Sequence, residues 1–109
     1  MDKLEWKKVG VVGVDSGSVM ICDPTYIDSE WENEDYVTGS KNNGKFSFNG
    51  CCQATIKKNF GQLKFSKGRK GVGVVSNSGY GDGCYDVFAL ISDEGKWGKR
   101  VKELKIVFF

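Results

Sequence analysis

Valine-rich runs of five to seven residues, each ended by a glycine-bearing turn, constrain this chain more than any other feature. "KVGVVGV" leads into Asp15-Ser16-Gly17 and then "SVMIC". "GVGVV" leads into "SNSGYGDG" and then "CYDVFALI". Branched side chains fit a pleated surface and lose rotamer freedom in a helix. Glycine at this density, 15 in 109 residues, breaks helices and supplies tight turns. The pattern predicts strands joined by short turns. Residues 5–14 and 18–22 read as a hairpin about "DSG". The second strand ends at Asp23-Pro24, because proline cannot extend a ladder.

After the "KNNG" turn, residues 41–44, the alternation becomes strict. Phe46, Phe48, Gly50, Cys52, Ala54 and Ile56 share one parity. One long strand keeps this set on a single buried face, with Cys52 inside and Cys51 outside. A hairpin at Asn49-Gly50 is the alternative, and it splits the set between faces. A turn at 59–61 then precedes Leu63 and Phe65 on one face. Tyr85 to Ile91 is apolar at nearly every position, as in the central strand of a closed or two-layered sheet. Leu104, Ile106 and Phe108 alternate in the last strand, and the apolar "KIVFF" has to be docked. Only "TYIDSEWENEDY" breaks the pattern, where Asp28 or Ser29 can cap a short helix. The expected fold is all-β: a single domain over 1–109, built as an antiparallel β-sandwich or small barrel of about seven or eight strands. At most one short helix is expected, near residues 28–36.

Composition excludes several kinds of chemistry. The chain has no histidine, which removes Cys–His and Ser–His dyads. Its four cysteines, Cys22, Cys51, Cys52 and Cys84, contain no C-x-x-C pair. They are expected to be reduced thiols, and no metal or cofactor is expected. No apolar run approaches the ~18 residues of a membrane span, and the first residues do not read as a signal peptide. The expected setting is cytoplasmic, with no membrane partner. The net charge of +2 is unevenly spread: residues 1–36 carry three basic and nine acidic side chains, residues 37–109 thirteen and five. Either the two parts neutralise each other on packing, or one presents a charged face.

The glycine-rich loop raises the main functional question. Gly79, Gly81 and Gly83 resemble the front of a dinucleotide fingerprint, but no helix follows to receive a phosphate. Asp82 then either caps its own turn or lines a site. A second acidic turn offers Asp15, Ser16, Cys22 and Asp23. The two regions look alike: a Val-Gly-Val strand, a Ser-Gly turn, then a strand bearing Cys and Asp. An internal duplication would bring Asp15 or Asp23 near Asp82. Carboxylates so gathered can hold Mg²⁺ or Ca²⁺, or share a proton. The candidate ligand-binding residues are therefore Asp15, Ser16, Cys22, Asp23, Ser78, Tyr80, Asp82 and Cys84, with residues 22–24 expected beside 78–83.

Asp23-Pro24 at the end of an apolar strand, together with Ser78 through Tyr85 (Ser-Gly-x-Gly-Asp-Gly-x-Tyr), resembles a loose group of small bacterial and phage proteins known only as domains of unknown function. The resemblance implies an all-β domain. It brings no catalytic residues.

Two charged segments complete the reading. "DSEWENED" has five acids in eight residues and reads as a solvated loop, without the glycine of a calcium loop. Lys57, Lys58, Lys64, Lys67, Arg69 and Lys70 interleave with Phe60 and Phe65, a pattern that can hold a nucleic acid single strand. Leu63 and Phe65 fit the core alternation, however, so nucleic acid is the lesser expectation. The favoured function is a small, monomeric, non-catalytic binding or interaction module that uses loop 78–83 and the Cys-Asp-Pro turn 22–24. The alternative is a small enzyme or divalent-metal-binding domain built on Asp15, Asp23 and Asp82. Convergence of the two acidic turns in one concavity would favour the alternative.

Overall fold

The computed structural model describes residues 3–41 and 44–109; Asn42 and Asn43 of the expected "KNNG" turn lie outside the described residues. Among the described residues there are six strands rather than seven or eight. They are β1 (Lys3–Val14), β2 (Ser18–Cys22), β3 (Phe60–Lys64), β4 (Lys70–Asn77), β5 (Gly83–Asp93) and β6 (Lys99–Val107). Two α-helices, α1 (Thr25–Ser29) and α2 (Phe48–Ile56), accompany them, so the chain is mostly β rather than all-β. The strands form two antiparallel sheets, in the orders β1-β5-β6 and β2-β4-β3.

β1 and β2 do not form the expected hairpin. β1 pairs with β5, and β2 pairs with β4. β1 runs into β2 while β4 runs into β5, so two long arms lie antiparallel and cross together from one sheet to the other. The "DSG" turn is a bend within one arm. This also overturns the sandwich and the barrel: the sheets sit end to end and neither closes on itself. The molecule measures 52 × 32 × 21 Å, with a radius of gyration of 16.2 Å. A compact chain of this length has a radius of gyration of about 13 Å.

The core lies on one face of the second sheet. Phe46, Leu63, Val72, Val75 and Cys51 are buried there, with Met20, Cys22, Tyr26, Trp31, Ala54 and Phe65 packed around them. Trp31 meets Phe46 edge-on, and Tyr26 meets Phe65 in the same way, both at 4.9 Å between ring centres.

α2 replaces both the long strand and the Asn49-Gly50 hairpin. Ser47 starts it: its Oγ accepts the Gly50 N–H at 2.9 Å, an N-cap worth about 1 kcal/mol. Cys51 and Ala54 face the second sheet, Cys51 within its core cluster and Ala54 against Gly61, while Gly50 packs on the Lys45 backbone. The strand-like alternation is coincidental. Phe46 is buried, but Phe48 and Ile56 are 44% and 57% exposed. Cys51 is buried and Cys52 half-buried, the reverse of the expected split.

α1 also departs from expectation. It begins directly after Pro24, whose φ of −55° suits a helix start, and the Asp23 carboxylate accepts the Thr25 N–H at 2.9 Å. It ends at Ser29, where a helix was expected to begin. The acidic segment beyond it wraps onto the start of α2. Lys45 Nζ lies 2.7 Å from Glu34 and 3.0 Å from Glu32, and Glu30 accepts from Ser66 Oγ at 3.0 Å. Part of the charge asymmetry is thus neutralised internally.

Candidate functional site

Both arms break at one junction. Val14 pairs with Gly83 on the first-sheet side, and Ser18 pairs with Asn77 on the second. Between them Asp15–Gly17 faces Ser78–Asp82. The Gly17 N–H donates to Asp82 Oδ1 at 2.8 Å, and the Ser78 N–H donates to the Gly17 carbonyl at 3.0 Å. The Gly81 carbonyl accepts from Ser78 Oγ at 2.7 Å and also from the Tyr85 hydroxyl.

The glycines answer separate demands here. Gly79 has φ +68°, and a Cβ on it would lie 3.0 Å from both Phe108 and Phe109, so it makes room for the C-terminal aromatics, although the apolar end is only partly docked. Gly81 has φ +116°, a conformation side-chain-bearing residues rarely adopt. Tyr85 stacks edge-on against Phe108 at 5.2 Å, and Tyr80 lies 4.9 Å from Phe109. Tyr80 and Phe109 are 89% and 85% exposed.

The eight sequence candidates separate into groups. Asp15, Ser16, Ser78, Tyr80, Asp82 and Cys84 gather at or beside the junction. Cys22 and Asp23 do not. Cys22 pairs with Gly73, four residues further along the ladder than Ser18, which is about 13 Å. Asp23 serves the start of α1 instead. The expected adjacency of residues 22–24 and 78–83 therefore fails. Among the described residues, no three Cys, Asp or Glu side chains gather in a way that could hold a metal ion. Burial holds the Cys51 thiol well above its ordinary range, with Cys52 and Cys22 adding to the effect.

The surface that sequence reasoning missed is the first sheet. Residues paired across an antiparallel ladder share a face. One face carries the rows Trp6–Leu90–Glu103, Lys8–Phe88–Lys105 and Val11–Asp86–Val107. Its apolar groups are partly covered from within: Lys105 Nζ sits 4.0 Å from the centre of the Trp6 ring, and Lys8 pairs with Asp86 at 3.1 Å. The other face carries Val12–Tyr85, Gly10–Val87–Ile106, Lys7–Ala89–Leu104 and Glu5–Ile91–Val101. Only Glu5 and Lys7, on the β1 edge, are charged in these rows. Leu104 and Val101 are 59% and 63% exposed. The sequence signal was present in β5, apolar on both parities, but it reads identically in a strand covered on both sides.

No family model, curated protein or solved structure matches this chain.

Proposed function

We propose that this protein is a non-catalytic interaction module that docks through the apolar face of its first sheet. One observation carries the reading. The chain builds its core cluster on the second sheet and leaves Val12, Val87, Ile91, Val101, Leu104 and Ile106 outside it, with Val101 and Leu104 exposed. Sheets with an apolar face are stable when that face is layered against another element. Tyr80, Tyr85, Phe108 and Phe109 extend the surface at the junction end.

In place of the expected monomer, the occupant proposed is a second copy of the chain. Three strands about 4.8 Å apart, each with about nine residues rising ~3.3 Å, present a footprint of roughly 14 × 30 Å. Two such faces, with side-chain relief, bury on the order of 1,000 Å², the threshold for a specific interface. The charges on this face lie on the β1 edge (Glu5 and Lys7) and in the end row Lys3–Asp93–Lys99, so a two-fold stack keeps its centre apolar. The alternative based on Asp15, Asp23 and Asp82 has no geometric support, since Asp23 lies apart from the junction.

Sedimentation velocity from about 1 to 200 µM tests the proposal. The parent should run as a dimer at the upper end, Leu104→Glu as a folded monomer, and Glu103→Gln on the opposite face as the parent. A monomeric parent throughout the range, or a Leu104→Glu variant that still dimerises, would refute it.

A further inference from the structure

We infer that the outer edge of the second sheet binds single-stranded nucleic acid, a function independent of docking through the first sheet. Residues 57–70 contain six cations and no carboxylate. β3 is an edge strand of its sheet, and the cations flank it: Lys57 and Lys58 before it, Lys64 at its end, Lys67 and Arg69 in the turn beyond, and Lys70 at the start of β4. All six are exposed, and none is in an ion pair among the described residues. β3 is five residues long, so its two cationic ends stand ~17 Å apart.

The aromatic component lies between them. Phe60 is 69% exposed, on the same side of β3 as Gln62 and Lys64, while Leu63 turns inward and is fully buried. The core alternation therefore removes Leu63 from the surface but not Phe60. Phe60 opens onto a groove of ≈ 1180 Å³ lined by β3, the end of α2, residues 36–41 and Gly44. Tyr36, 44% exposed, lines the opposite wall. Lys41, Lys57, Lys58 and Lys64 also line it, and among the described residues no Asp or Glu does. An anionic polymer satisfies the lysines. Exposed rings along the same groove select a polymer that carries flat stackable groups and leaves them unpaired. A duplex keeps its bases stacked on each other, and an acidic peptide has nothing to stack. The charge and the rings together fit a single strand, of RNA or of DNA.

The test is fluorescence anisotropy with labelled dT12 and rU12 against the full chain at 50 and 200 mM salt. A 12-bp duplex and polyglutamate serve as competitors. Binding of either single strand supports the proposal, and the tighter of the two indicates the sugar. The double variant Lys57→Gln/Lys58→Gln should weaken binding and flatten the log–log salt slope by about 1.4, at ~0.7 for each phosphate no longer neutralised. Phe60→Ala should weaken it at least fivefold with the slope unchanged, and Phe60→Trp should restore it. Circular dichroism melts show whether each variant is folded, which the exposure of these side chains predicts. No binding at 50 mM salt with ~100 µM protein overturns the proposal. So does competition by duplex or polyglutamate equal to that of unlabelled dT12, or a folded Phe60→Ala that binds as the parent does.

Discussion

The Asp82 carboxylate accepts the Gly17 amide at 2.8 Å across 65 residues of sequence, and this bond closes the junction where both arms change sheets. The ladder is interrupted there: three residues of one arm face five of the other. Asp82 supplies an acceptor that the missing strand partner would otherwise provide. Gly17 at φ +73° turns its amide toward that acceptor. The acid in the glycine-rich loop therefore holds the bend, and Gly79 beside it admits Phe108 and Phe109.

Asp82→Ala removes the acceptor, whereas Asp82→Asn keeps a carbonyl oxygen in its place. The bond is exposed, so the lower end of the range for charge-assisted hydrogen bonds applies. Asp82→Ala should lose about 1.5 kcal/mol in urea denaturation, and Asp82→Asn less than half of that. Equal stability of Asp82→Ala and the parent would show that Ser78 alone holds the junction.

How much of this was legible follows from where each determinant lies. The ends of β2 could be read directly, because Gly17 and Pro24 mark them locally. β5 was correctly placed as a central strand from its apolar run. The two Ser-Gly turns, alike in sequence, face each other across one junction. Pairing partners were not legible: "DSG" suits a hairpin and a bend equally, and the choice depends on β4 and β5 being available. α2 was hidden because Phe46, Phe48 and Ile56 happen to alternate. Its true determinants are Ser47 at the cap and the close approach of Gly50 to the Lys45 carbonyl, which periodicity does not reveal.

That approach makes Gly50 the least replaceable glycine in the chain. A Cβ at this position would lie 1.8 Å from the Lys45 carbonyl oxygen, a backbone atom that cannot swing aside. Gly50→Ala should cost more than ~3 kcal/mol, beyond ordinary overpacking of a flexible neighbour. At Gly10, where an added Cβ meets nothing within 4 Å and φ is not positive, alanine should change stability by less than ~1 kcal/mol. Chemical denaturation of both variants checks the contrast. A Gly50→Ala protein as stable as Gly10→Ala would mean that α2 does not approach Lys45 as described.

Cys51 gives the fold a dependence on alkaline pH. Its thiol is pushed up from 9.0 to about 11, chiefly by burial, with Cys52 and Cys22 adding to it. The neutral thiol is thus favoured by folding, and the unfolded chain gives up this proton first as pH rises. Its contribution to stability is complete below pH 9 and is lost between about pH 9 and 11, where the unfolded state binds fewer protons than the folded one. A shift of this size corresponds to roughly 3 kcal/mol. The parent has to be compared with Cys51→Ala, which lacks only this group. At pH 7 the variant should be less stable by about 1 kcal/mol, the cost of a small buried void. Between pH 9 and 11 the difference should fall through zero and reverse, Cys51→Ala becoming the more stable protein. Alkylation at pH 8, followed by mass spectrometry, should modify the exposed Cys84 first and Cys51 last. A gap between parent and variant that stays constant to pH 11, or early labelling of Cys51, would place this thiol in contact with water and displace it from the core formed by Phe46, Leu63 and Val75.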